Sequence, residues 1–307
     1  MYRVLDTLDA VQKQITQIPA MDLPSGILMV KPTYFKVVDI KNPYMKNNIG
    51  KVSLKKATKE WDTLYHTFEA LLQRGFIRKL EFTEGKKGLE DMVFCANPAF
   101  YWLDANQEQI VLLSHMKYEN RQKEVAFFES FFHEKNIKTV RLDSKIHIEG
   151  NGDLIAHPGK RLIWMGHGFR TDLIAAHQVA AILDAYVIPL RLVSEDFYHL
   201  DTCFTIIDEE HVAICSEAFD KHSLQLIQSA FKFTYEVPLK ESKNGFALNS
   251  LVLYKNKEAK IALIPQGNPQ LKKWLSELHL EVIELDTKEF IKSGGSIYCM
   301  KMLTYDS

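Results

Sequence analysis

Three kinds of residue in this 307-residue chain carry the means for chemistry: a cysteine near one end, a histidine two places from an aspartate, and a glutamate at a glycine-rich bend. Cys299 stands in KSGGSIYCM. There Gly294 and Gly295 let the backbone approach a ligand and leave amide N–H groups to hold developing charge or depress a thiol pKa. Cys299 then reads as a nucleophile, and in the plainer alternative as a small residue packed in a short strand over 297–300. His199 and Asp201 lie in DFYHLDTCF. In an extended segment they share a face, so one site can hold an imidazole for proton transfer and a carboxylate for a cation. The same pair suits an iron or zinc ion, but a third ligand such as His279 would be needed, its neighbours read as the polar side of a helix, and no metal is expected. Glu149 opens EGNGDLIAHPG, a tight bend flanked by Glu149 and Asp153. One of the two can face a site while the other holds the loop. Arg170, in GHGFRTD, is placed to fork onto a carboxylate or to form a structural ion pair. Asp91 and Asn97 fall in GLEDMVFCANPAF, where 92–94 reads as a short strand that delivers Asn97 to a bend before Pro98.

These residues are spaced by an alternating pattern of elements. Helical periodicity of apolar residues runs over 56–74, 119–135, 172–184, 220–230 and 268–279. Each helix is followed by an apolar strand, at 77–82, 137–142, 186–189, 233–237 and 280–285. Paired apolar runs fill the gaps, at 153–156 with 161–165, 203–207 with 211–214, and 247–253 with 260–264. The result is five units of about 50 residues, each β, β, α, β in character. A closed ring of such units hides the sheet edges that a linear array would expose. No Pro/Ser-rich linker interrupts the series, so one domain over 1–307 is expected. Residues 31–55 are polar, rich in Lys and Asn, and read as a surface insertion or a flap over a site.

Composition narrows the function classes. Hydrophobic residues make up 46% and charged residues 25%, which excludes a disordered chain. Thirty-eight basic residues against 39 acidic ones give a net charge of −1, so no global field draws the chain to a phosphate backbone or an acidic membrane. No nucleic-acid or membrane partner is expected. No apolar run reaches the roughly 18 residues of a membrane span, and MYRVLDTLDAV lacks the pattern of a secretory signal. Cys95, Cys203, Cys215 and Cys299 are widely spaced and read as reduced thiols of a cytoplasmic protein. P-loop, dinucleotide and serine-elbow signatures are absent.

The ordered series LMVKPTYF, DMVFCAN, IEGNGDLI, GHGFRTD, FYHLDTCF and SGGSIYC covers nearly the whole chain. It resembles the guanidine-modifying superfamily of arginine deiminases, dimethylarginine dimethylaminohydrolases, amidinotransferases and bacterial arginine dihydrolases. The resemblance implies an α/β fold, a five-bladed pseudosymmetric propeller of ββαβ units. It implies hydrolysis at the guanidinium carbon of arginine or a related small molecule through a covalent thiouronium, without a cofactor. Cys299 corresponds to the nucleophile, His199 to the general acid/base and Glu149 to its partner carboxylate. Asp201 corresponds to the clamp on the guanidinium, and Arg121 (in KYENRQKE) and Arg170 to residues that hold the substrate carboxylate. Asp91 belongs to a site-forming segment. Asn97 stands where deiminases and dimethylarginine hydrolases usually have Asp, and the bend reads EGNGD rather than EGGD; both features resemble the arginine dihydrolase branch. Deimination, dimethylarginine hydrolysis, amidino transfer and a non-catalytic guanidino-binding propeller stay open as alternatives, and a homo-oligomer is compatible with all of them.

Overall fold

A computed structural model describes residues 3–256 and 259–305. The described chain contains β1 (Gly26–Val30), β2 (Lys79–Thr83), β3 (Ala99–Leu103), β4 (Gln109–Leu113) and β5 (Lys138–Val140). It continues through β6 (Leu154–Ala156), β7 (Leu162–His167), β8 (Tyr186–Arg191), β9 (Phe204–Ile206) and β10 (His211–Ile214). The last five are β11 (Phe233–Glu236), β12 (Leu251–Tyr254), β13 (Lys260–Pro265), β14 (Glu281–Leu285) and β15 (Lys301–Thr304). They form five three-stranded sheets of one topology. In each, the middle strand pairs antiparallel with one neighbour and parallel with the other. A parallel pair needs a crossover, and the periodic helices supply it. In the first sheet the antiparallel neighbour of β1 is β15, with Gly26 opposite Thr304 and Met29 opposite Lys301.

The middle strands are apolar except at an end because both faces are covered, as in β1 (GILMV) and in β13, where only Lys260 at the start is polar. The strand after each helix is a partly exposed edge, as in β2 and β11. The helix Leu54–Gln73 shows the packing logic: Ala57, Trp61, Leu64, Phe68 and Leu71 are buried at three- and four-residue steps. Its first residues precede the expected start by two, within the usual fraying of such boundaries. Two expected strands are turns instead. Residues 92–94 form part of a turn, and the strand begins at Ala99; residues 297–300 also form a turn, and the strand begins at Lys301. In both places apolar residues are buried by a turn that packs inward, which periodicity cannot separate from a short strand.

The described chain divides into two compact units. One takes the chain up to Leu23 with Asn97–Glu236, and holds the three sheets from β3 to β11. The other takes Pro24–Ala96 with the stretch from Val237, and holds the sheets β15-β1-β2 and β12-β13-β14. The 31–55 segment belongs to the second unit and contains the single-turn helix Pro43–Asn47. Phe35 stacks on Phe290 at 4.9 Å, the Asn42 amide donates to the Ser293 carbonyl at 2.9 Å, and the Tyr44 hydroxyl donates to the Lys243 carbonyl at 3.1 Å. Side-chain contacts rather than a regular ladder hold this segment, which accounts for its lack of periodicity.

In the first unit the His157 ring is buried among Trp164, Phe204 and Phe231. The Trp164 indole N–H donates to His157 Nδ1 at 3.2 Å, so the neutral ring carries its proton on Nε2. Burial, with Lys160 nearby, pushes the His157 pKa down to about 3. The unfolded chain takes up a proton near 6.5 and the folded chain does not. Stability from this group is therefore complete above pH 6.5 and is lost as the pH falls towards 3. Denaturant unfolding of wild type and His157→Gln should show the gap between them narrowing by about 1.5 kcal/mol on going from the unfolded pKa to about pH 5.

Candidate active site

In the first unit, Glu149 precedes a single helical turn, Gly150–Asp153, that leads straight into β6. His199 caps an equivalent short turn, Leu200–Thr202, ahead of β9. The Thr202 N–H and hydroxyl both donate to the His199 carbonyl, at 3.2 and 2.7 Å. The Leu200 N–H donates to Asp153 Oδ1 at 3.1 Å, so one turn is tied to the other. Thr171 adds a relay: it accepts from the Glu149 N–H at 3.2 Å and donates to Asp153 Oδ2 at 2.6 Å. Asp153 therefore holds the loop, and its burial pushes its pKa well above the ordinary range. Of the two acidic residues at this bend, it is Glu149 that reaches the imidazole.

The Glu149 carboxylate is wholly buried, and both oxygens are satisfied. Oε1 accepts from the Lys117 N–H at 2.9 Å. Oε2 accepts from His199 Nε2 at 2.7 Å and from Arg170 Nη1 at 3.2 Å. Burial opposes the charged form, but Arg170 beside it, the His199 hydrogen bond and the Arg121 charge outweigh burial and hold Glu149 far below the usual carboxylate range. Arg170 is itself fixed, with its guanidinium 4.7 Å from the centroids of both Tyr118 and Tyr198. Because Glu149 is an ionised acceptor, His199 Nε2 must carry hydrogen, and the neutral ring has its lone pair on Nδ1. Burial, reinforced by Arg170 and Arg121 against the pull of Glu149, pushes His199 down to about 4. The imidazole is thus a base at neutral pH.

Asn97 is buried in the turn two residues ahead of β3. Its backbone carbonyl accepts from the Ser114 hydroxyl at 2.6 Å, and its Oδ1 accepts from Arg121 Nη1 at 3.0 Å. The remaining edge of Arg121 is forked onto Glu124, with Nε and Nη2 contacts of 3.0 and 2.8 Å. With Oδ1 turned to Arg121, the Nδ2 donor is buried and meets no acceptor among the described residues. Asp201 is buried in the His199 turn. Gly152 makes room for this cluster: a β-carbon there would lie 2.3 Å from Asn97 Nδ2 and 3.2 Å from the His199 ring.

Cys299 belongs to the second unit, in the turn before β15. It retains 3% of its exposure, whereas Cys95, Cys203 and Cys215 have none. Asn249 Nδ2 donates to Cys299 Sγ at 3.1 Å, and Asn249 Oδ1 accepts from the Cys299 N–H at 3.2 Å. The two glycines serve this turn differently from the expectation that their N–H groups stand free. Gly294 and Gly295 donate to the Ile291 and Phe290 carbonyls. Gly294 has φ +81°, and a β-carbon on Gly295 would lie 2.4 Å from the Phe94 ring. They bend and seat the turn. Asp91 lies in this unit, where its carboxylate pairs with Lys41 at 3.1 Å and accepts from the Ser293 hydroxyl at 3.1 Å. Burial opposes the Lys41 charge, but Asp91 and Asp39 overcome it and raise its pKa.

The first unit thus brings together Asn97, Arg121, Glu149, Arg170 and His199, while Cys299 and Asp91 stand in the second. Sequence reading missed Lys41, Glu124, Thr171, Gly152 and Asn249. Only the last had a signal: Glu149, His199, Asn249 and Cys299 recur at 50-residue intervals.

The sequence matches a family model described as N,N dimethylarginine dimethylhydrolase, eukaryotic, over residues 31–304. The chain belongs to the cysteine-dependent guanidine-modifying superfamily. It is 31% identical over 277 residues to the bifunctional arginine dihydrolase/ornithine cyclodeaminase ArgZ of Synechocystis, covering 90% of this chain and 37% of that one. It is 28% identical over 272 residues to an N(G),N(G)-dimethylarginine dimethylaminohydrolase of Mycobacterium tuberculosis, covering 88% and 83%. Among solved structures it is similar to the N-terminal domain of ArgZ covalently bonded to a reaction intermediate, with a TM-score of 0.82, 30% identity, and coverage of 91% and 97%. The same domain bound to substrate gives 0.83, with 29% identity and coverage of 92% and 98%. Five sheets of one ββαβ topology and this similarity make the fold class of the superfamily member the expected α/β propeller. Its chain spans little more than a third of the length of the bifunctional cyanobacterial relatives. Among the described residues no helix is long and apolar enough to cross a membrane.

The tight fit at Gly152 gives a test. Gly152→Ala should still fold, with a melting temperature lowered by the overpacking, and displace Asn97 and the His199 ring. Ammonia release from arginine, tested as a candidate substrate, should fall about 100-fold relative to the unaltered chain.

Proposed function

We propose that the protein is a cysteine-dependent hydrolase of the guanidinium carbon of arginine or a related guanidino compound, working as one catalytic domain over residues 1–307. The observation that carries this reading is the Glu149–His199 pair, a buried carboxylate locked by Arg170 onto an imidazole that burial holds down at a pKa of about 4. A guanidinium carbon is a poor electrophile, so its attack needs a thiolate and a base that can later return the proton. Cys299 supplies the sulfur. Its proton passes to His199 Nδ1, the S–C bond forms, and the tetrahedral adduct expels ammonia as His199 gives the proton to the leaving nitrogen. Water then attacks the thiouronium, His199 takes its proton, and the C–S bond breaks to restore the thiolate. Glu149 stabilises the imidazolium in both steps. Asp201 holds the cationic substrate. Arg170 we assign to Glu149, and Arg121 to the orientation of Asn97, rather than to the substrate carboxylate. Asp91 serves the site through the hydrogen bond it accepts from Ser293, which lies in the segment leading to the Cys299 turn.

Asn97 bears on the products. One hydrolysis converts arginine and water to citrulline and ammonia. A second water, attacking the ureido carbon, completes the conversion of arginine and two waters to ornithine, two ammonia and carbon dioxide. Citrulline is neutral and presents a carbonyl oxygen. The Nδ2 donor of Asn97, its orientation fixed by the Arg121 bond to Oδ1 and left on the Gly152 side, suits that oxygen and would retain the ureido group for the second attack. An aspartate there favours the cation and releases the neutral product. This supports arginine dihydrolysis over deimination, dimethylarginine hydrolysis and amidino transfer, in keeping with relatives named arginine dihydrolase. Four free cysteines among the described residues suit the reducing cytoplasm, where we place the activity.

Cys299→Ser should abolish ammonia release from arginine. Asn97→Asp should shift the products from ornithine towards citrulline, with ammonia per arginine falling from two towards one. Unchanged ratios would overturn the role of Asn97. Turnover surviving in Cys299→Ser would overturn the mechanism, and no turnover in the wild type on any guanidino compound would favour a binding protein.

A further inference from the structure

We infer that Asn249 is the positioning residue of Cys299, a fixed donor that favours the thiolate and shapes the turn on which it stands. The inference rests on Cys299 as the nucleophile and goes beyond it in naming what prepares the sulfur.

Asn249 is completely buried and makes four contacts with the Cys299 turn. Oδ1 accepts from the Ser296 N–H at 3.0 Å and from the Cys299 N–H at 3.2 Å. Its backbone carbonyl accepts from the Tyr298 N–H at 3.1 Å. Two N–H groups converging on one end of an amide fix which end is oxygen. Nδ2 must then face the sulfur, 3.1 Å away. A hydrogen bond donated to a group favours its charged form, so this contact stabilises thiolate over thiol in a turn that has little access to water. The Asn249 N–H is used on the Phe246 carbonyl at 2.9 Å, which anchors the donor from behind.

Its placement repeats elsewhere in the chain. Asn249 stands two residues before β12, as Cys299 stands two before β15 and Asn97 two before β3. It lies 50 residues from both His199 and Cys299. The turns that enter the sheets hold Asn97, Glu149, His199, Asn249 and Cys299, and Asn249 is spent on the neighbouring turn of its own unit.

Asn249→Asp separates positioning of the backbone from donation to sulfur. The variant keeps volume and the acceptor for two N–H groups, but places a carboxylate oxygen where Nδ2 stood. The readout is the pH dependence of Cys299 alkylation by iodoacetamide, assigned by peptide mass. The profile should move to higher pH by about one unit or more, so that labelling at neutral pH slows about tenfold, and kcat should fall more than KM rises. Asn249→Ser, a smaller neutral change, should move the profile in the same direction and serves if the aspartate variant does not fold. A profile that stays in place in the folded variants overturns the inference, even where turnover falls. Turnover of Cys299→Ser is measured in parallel. Its persistence would defeat the nucleophile assignment, a failure that the alkylation profile does not register.

Discussion

A carboxylate with no access to water sets the terms for the first unit. Ionised Glu149 at full burial is tolerable only with compensating charge and complete hydrogen bonding. Arg170, the Lys117 N–H and His199 provide them. Each partner must in turn be immobile. Arg170 is clasped between two tyrosine rings, and Lys117 contributes main chain rather than its flexible side chain. Removing one partner leaves a buried charge partly unpaired, which makes the arrangement stiff as well as costly to alter. The stiffness is chemically useful: with Glu149 ionised, the tautomer of His199 is decided, and the nitrogen that exchanges protons is the one facing away from the carboxylate. Asp153 close by takes the opposite course, its burial favouring the protonated form. Two acidic residues of one bend thus diverge in charge because one has cationic partners and the other mainly hydroxyl and amide donors.

Local turn chemistry explains how distant residues come to resemble one another in position. Each sheet begins with a mainly apolar strand, in which buried polar side chains are few, such as Thr205 in β9 and Lys301 in β15. Polar groups therefore collect in the turn just before it, where short helical turns provide N–H and hydroxyl partners. Asn97, Glu149, His199, Asn249 and Cys299 all stand in such turns. Glycine enters where two such groups must approach closely, as at Gly152 beside Asn97 and His199.

Much of the fold was legible in the sequence because period is a property of buried faces. The segments expected at 119–135, 220–230 and 268–279 correspond closely to the helices Glu119–Glu134, Lys221–Ala230 and Pro269–Glu277. The partnership of β15 with β1 was not legible, since strand pairing across nearly the whole chain leaves no local mark. Turns filled with apolar residues, at 92–94 and 297–300, passed for strands. In the site, the residue types and bends of Glu149, His199 and Cys299 were readable from their motifs. Their partners were not. Whether Arg170 meets a ligand or Glu149 depends on tyrosines from two other segments, and Asn249 sits in LNSLVLY with no chemical motif around it.

The covalent bond between Cys299 and the substrate carbon can be sought directly. His199→Gln protein, mixed with arginine and quenched in acid on a time course, should be digested and analysed by mass. An amidino-type adduct of arginine should accumulate on the peptide bearing Cys299, because attack can occur slowly while hydrolysis of the thiouronium lacks its base. Continued turnover with no adduct on that peptide at any time, in this variant or in the wild type, would contradict covalent catalysis by Cys299.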